Sequence, residues 1–308
     1  MIHTSSTRVA YAAEAAYASG KGTLKYAATA FVAGDVASLT VMNTQKANIQ
    51  MGVIEAERLT IKSPTMTPDG KHIQTQGYRY KEFKLEQYIQ NETFAILAAA
   101  TLTAGTLQSS LVFHFEVPGV SAAIDAFDVI GCVVKEYEID QNEGDFPTER
   151  ITFTYYDVIN SAIVTNLASW STATAANHKD IALTLFSLSI TDLIKSTLKI
   201  TIEHYDKKVA TKYQRGDPIP ISRDIELDAT FNTDTAALTG DSLALGGTPT
   251  AINEVAIAYT YISTSANISA SKMYVDSENI GEIPDKIGVY EHNIKMKMGA
   301  ACAVAHNT

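Results

Sequence analysis

VIGCVVKEYEIDQNEGDFPTERITFTYYD, residues 129–157, holds two runs of alternating character around one turn. In the second run Ile151, Phe153 and Tyr155 share one side, and Arg150, Thr152 and Thr154 share the other. That is the period of a strand, whose successive side chains point to opposite faces. The first run puts Glu136, Glu138 and Asp140 together in the same way. Between the runs, QNEGDFP supplies Gly144 and Pro147, residues that free or fix backbone torsion in turns. Two alternating runs joined by a Gly-containing loop predict an antiparallel hairpin.

Working outward, the hairpin has an echo. GDFPTE at 144–149 is matched by GEIPDK at 281–286, which carries Gly281 and Pro284 at the same steps. Each copy lies between two strand-like runs, so the chain reads as a duplicated β-rich unit. The first unit is expected over 51–168. It begins with VIEAERLTIK (53–62), a turn cluster at 63–70 and QTQGYRYKEFKL (74–85), and SLVFHFEV (110–117) precedes the hairpin. In LEQYIQNETFAILAAATL (85–102) the apolar residues Leu85, Tyr88, Ile89, Phe94 and Leu97 recur mostly at three- and four-residue steps. That spacing predicts a helix flanking the sheet. A Ser/Thr/Ala/Asn linker is expected at 169–180. The second unit, 181–300, holds strand-like runs at 181–190, 196–205, 253–263, 266–276 and 287–298. In place of the helix it has TDTAALTGDSLALGG, broken by Gly240 and Gly246. Residues 1–50, poor in large apolar side chains, read as an extended N-terminal arm, and 301–308 as a C-terminal tail.

Within the second unit, YQRGDPIPISRDIELDATFN (213–232) contains Arg215-Gly216-Asp217. Gly216, Pro218 and Pro220 make this a loop leading into a strand that starts near Ile221, with the tripeptide incidental. That strand carries Asp224, Glu226 and Asp228 on one face and Ile225, Leu227, Ala229 and Phe231 on the other.

Composition limits the chemistry. The 308 residues carry a net charge of −10, which does not attract nucleic-acid phosphates. The longest apolar run, FAILAAA at 94–100, is too short to span a bilayer, and the first twenty residues lack the pattern of a secretion signal. A soluble protein made in a cytoplasm and not inserted in a membrane is therefore expected. Cys132 and Cys302, the two cysteines, have no metal-like spacing and read as small core hydrophobes. No HExxH, P-loop, GxSxG or GxGxxG motif occurs, so no catalytic residue, cofactor or metal is assigned. His114 and His204 read as solvated strand histidines. A polysaccharide-active enzyme built on paired carboxylates is a third-ranked reading, because no pair stands out. Fifteen tyrosines, scattered over strands, favour an interaction protein over an enzyme.

Three segments together resemble the major tail tube proteins of long-tailed viruses of bacteria and archaea. They are 129–157, the run from Leu185 to Thr235 (LFSLSITDLIKSTLKI…VATKYQRGDPIPISRDIELDATFNTDT), and the expected helix at 85–102. What the resemblance implies is a mainly β fold, a sandwich or barrel unit present twice, whose hairpin strands join across subunits into stacked rings. Genome DNA would pass through the channel without specific binding. The implied partners are further copies of the chain, three per ring favoured and six possible, and other tail proteins: tape measure, tail terminator, and baseplate or tip. The implied location is the virion tail, assembled in the host cytoplasm. Asp224, Glu226 and Asp228 are then candidates to face the lumen, where negative charge lets DNA slide. A capsid decoration protein, a fibre or an adhesin is the alternative.

Overall fold

A computed structural model describes residues 8–14, 40–42, 46–50, 57–61, 72–76, 82–89, 110–118, 124–161, 176–185, 188–190, 192–205, 218–233, 255–260, 267–280, 290–298 and 304–307. These residues are mainly β-strand, paired antiparallel. The first half holds β1 (Arg8–Ala13), β2 (Thr40–Met42), β3 (Lys46–Gln50), β4 (Glu57–Ile61) and β5 (His72–Gln76). It continues with β6 (Glu82–Tyr88), β7 (Leu111–Pro118), β8 (Ile124–Asn142), β9 (Thr148–Thr154) and β10 (Asp157–Ser161). A short 3₁₀ turn, His178–Asp180, leads into the second half. There lie β11 (Ala182–Leu185), β12 (Leu188–Ile190), β13 (Leu193–Tyr205) and β14 (Ile219–Thr233). β15 (Val255–Thr260), β16 (Asn267–Ile280), β17 (Tyr290–Met298) and β18 (Val304–Asn307) complete it.

The predicted hairpin is β8–β9, with Tyr137 opposite Ile151 and Glu138 opposite Arg150. β8 is long enough to serve two layers. Its first part pairs with β7 and β10, and its last part pairs with β9 and β13. The change of partner falls at Gly131, whose φ of 65° suits a residue without Cβ. Beyond β9 the ladder continues through β6 to β3, and beyond β7 through β1 to β2. In the second half β16 pairs with β15 and β18 through its first part and with β17 through its last. From there the ladder runs through β14 to β13 one way and through β11 to β12 the other. The halves meet where β13 pairs with β8.

Alternation supplies the core. Phe83 and Leu85 of β6, Ile151 and Phe153 of β9, and Phe113 and Phe115 of β7 are buried together. Ring centroids lie 4.9 Å apart for Phe83–Phe153 and 4.7 Å for Phe113–Phe153, so the layer containing β6 and β9 packs face to face on β7. Leu198, Ile200, Ile225, Leu227 and Phe231 continue the core into the second half with Leu183 and Leu185. Cys132 of β8 is fully buried, as expected, and burial holds its thiol pKa well above the usual value.

Several expectations need correction. Leu85–Tyr88, placed in a helix by spacing, belong to β6. Phe83, Leu85 and Gln87 are buried in alternation with Lys84 and Glu86, and pairing with β9 enforces the period of two. Residues 90–102 of that prediction lie outside the described residues. Three stretches of the expected N-terminal arm are strands of the sheet, and Val9 and Ala10 of β1 are completely buried. At the end of the expected linker, Ala176 is buried and donates its N–H to the Ile89 carbonyl. β14 starts at Ile219 rather than Ile221 and contains Pro220, which sits at a register irregularity opposite His204.

Candidate functional site

Seven strands, β6-β9-β8-β13-β14-β17-β16, form one continuous run with a core face and a polar face. The polar face is built from cross-strand neighbours. Glu86 lies opposite Arg150, Arg150 opposite Glu138, and Glu138 opposite Lys199. Lys199 lies opposite Glu226, Glu226 opposite Lys297, and Lys297 opposite Tyr274. Charge sign therefore alternates strand by strand from Glu86 to Lys297. Arg150 anchors one end, with Nη1 donating to Glu138 Oε1 at 2.6 Å, Nε 3.7 Å from Glu86 and Nη2 3.9 Å from Asp140. Lys199 lies 3.6 Å from Glu136, and Lys297 lies 3.1 Å from Asp276. The hydrogen bond to Asp276, with its charge, raises the Lys297 pKa. Such solvated pairs contribute little to stability, so the row sets register and surface charge.

The sequence placed Asp224, Glu226 and Asp228 on one face of a strand, and β14 has them so. Asp224 and Glu226 are exposed and Asp228 is half-buried, while Ile225, Leu227, Ala229 and Phe231 point into the core. Asp228 accepts from Asn293 at 3.3 Å and lies 3.4 Å from the Lys295 ammonium. Sequence reasoning missed these cations because they reach the acidic row from β13 and β17, strands whose register it did not assign. On the three central strands β8, β13 and β14, the carboxylates of Glu136, Glu138, Asp140, Asp224, Glu226 and Asp228 outnumber the cations of Lys135, Lys195 and Lys199.

The β8–β9 turn closes one end of this surface. In the β8–β9 turn Gly144 has φ +83°, a torsion that glycine adopts without strain. Pro147 is buried and its carbonyl accepts from the Ile89 N–H. Phe146 is 52% exposed, with its ring 5.5 Å from Tyr88. Gly281 and Pro284 lie outside the described residues. At the other end, β13 and β14 run past both neighbours. Pairing with β8 stops at Thr201 and pairing with β17 at Glu226, so among the described residues Ile202–Tyr205 and the start of β14 pair only with each other. This protruding hairpin exposes Tyr205, Ile219 and Ile221 at 58%, 43% and 59%. Arg215-Gly216-Asp217 lies outside the described residues.

One histidine was misread. His114 is completely buried rather than solvated. It lies directly opposite Asp128, with Nδ1 2.6 Å from Asp128 Oδ1 and Nε2 3.2 Å from Glu116 Oε1. β7 is covered on both faces, so its alternation did not report a wet side. A second buried polar group joins Glu149 to the Gln87 amide and, at 3.0 Å, to the Tyr137 hydroxyl. Among the described residues no group of three or more His, Cys, Asp or Glu is arranged to hold a metal ion, and no helix is long and apolar enough to cross a membrane. The chain matches no protein-family model, and no curated protein matches it at a significant level.

Proposed function

We propose that the protein is a structural subunit of a ring-forming tube, the tail tube of a long-tailed virus, whose channel passes DNA. The observation that carries this reading is the strand pairing of the two halves. β1, β2, β3, β6, β7, β8, β9 and β10 pair among themselves as β11 through β18 do, in the same order. Even the irregularities correspond. Leu111/Phe113 slip against β8 at Cys132/Val129, and Val255/Ile257 slip against β16 at Met273/Ala270. A second slip between Val134 and Glu136 corresponds to that between Val275 and Ser277, at the same sequence offset. In sequence, GDFP (144–147) lies between β8 and β9, and GEIP (281–284) lies between β16 and β17. Two copies of one β unit, joined edge to edge, are the repeating element from which a ring is built.

In this reading the polar face of the seven-stranded run lines the channel. Its surplus of carboxylates keeps DNA from binding, and its interleaved lysines keep the wall from repelling itself apart. The protruding β13–β14 hairpin, with Tyr205, Ile219 and Ile221 exposed, makes the contact between stacked rings. Three copies place six units in a ring. The test is negative-stain microscopy of concentrated purified protein. Rings or tubes are expected. A compact monomer at every concentration would remove the reading.

A further inference from the structure

The pairing of β13 with β8 has no counterpart among the described residues. β13 corresponds to β3, and β8 to β16, so the missing equivalent is a pairing of β3 with β16. Among the described residues both edges stand open on the side this pairing needs. β3 pairs only with β6, and Ser277–Ile280 pairs only with β17, whereas the corresponding part of β8 is paired on both sides. Paired strands with one free edge are templates for addition of another strand. We infer that β3 of one copy pairs antiparallel with the last part of β16 of the next copy, repeating between chains the junction that β13 and β8 make within one.

The correspondence fixes the register. The slip at Val134/Glu136 matches that at Val275/Ser277, which aligns Ile139 with Ile280 and Glu138 with Asn279. Lys84 and Asn48 are paired as Asp228 and Thr197 are, which aligns Ile49 with Leu198 and Gln50 with Lys199. Within the chain Leu198 faces Ile139 and Lys199 faces Glu138. Between chains Ile49 then faces Ile280, and Gln50 faces Asn279. The contact is head-to-tail, because two different edges meet, and such contacts make rings when the rotation closes. Each ring then contains one kind of junction alternately within and between chains, and no open edge of this class remains.

This rests on the tube reading, and the experiment separates the two. Gln50→Cys and Asn279→Cys are combined in the full chain, which is assembled and oxidised. Directly opposed residues in antiparallel strands have Cβ atoms about 4.5–5.5 Å apart, within or near bridging range. A ladder of disulfide-linked chains ending at the ring size is expected on a non-reducing gel. The control Gln50→Cys with Glu278→Cys, one residue out of step, puts the thiols on opposite faces and gives no ladder. Rings seen by microscopy without the 50–279 ladder overturn the strand assignment and leave the tube reading standing. Wild-type protein that never assembles overturns both. Where the cysteines themselves block assembly, hydrogen exchange of wild-type protein decides. Assembly is expected to slow exchange at 46–50 and 277–280, and unchanged rates there in rings overturn the inference.

Discussion

His114 is held between Asp128 and Glu116, and all three are buried. Burying charge is costly unless each group has its counterpart, so removing the centre of such a cluster leaves carboxylates stranded. His114→Leu is expected to lower unfolding stability by about 3–5 kcal/mol in urea denaturation, far more than a surface histidine would cost. The cluster was invisible in the sequence. His114 and Asp128 are brought together by the β7–β8 register, and nothing in either segment announces that register. Cys132 was legible, since it lies in the apolar run VIGCVV with no metal-like spacing to Cys302. Its raised pKa has a consequence for pH dependence. The unfolded chain loses the thiol proton above about pH 8.5 while the folded chain keeps it, so stability contributed by the neutral thiol is full below that pH and falls above it. Cys132→Ala is expected to flatten the decline in stability on the alkaline side of about pH 8.5, measured by urea denaturation across pH.

At the scale of elements, the hairpins obeyed the period of two. β9, β13 and β14 each bury one alternate set, and the other set is wet apart from Thr154 and Thr230. β6 shows where periodicity misleads. Leu85, Tyr88 and Ile89 fit a helical stripe, but Phe83 and Leu85 reach the aromatic core only from a strand, and burial of those side chains outweighs a local helix preference worth a few tenths of a kcal/mol per residue. The β13–β14 hairpin carries its own prediction. Ile221 is exposed and outside the core, so Ile221→Asp is expected to change stability by less than about 0.5 kcal/mol. It is expected to leave rings intact while shortening the tubes, read as length distributions in negative stain. Tubes of unchanged length would assign stacking to another surface.

For the whole molecule, the consequence of two similarly paired halves is that, among the described residues, one inter-half junction exists and one is lacking. The 50–279 cross-link is thus a prediction at this scale, together with rings under the microscope. The sequence by itself determined the β class, the β8–β9 hairpin and the acid row of β14. All of these depend on residues close in the chain, where alternation and turn chemistry act directly. Only the tertiary structure decided which strands lie side by side. That choice put Lys199 and Lys297 next to the acids of β14, sealed His114 between two carboxylates and, among the described residues, left β3 and the last part of β16 with one open edge each. Strand pairing joins residues far apart in sequence, and its register is set by the fit of whole faces rather than by any local signal.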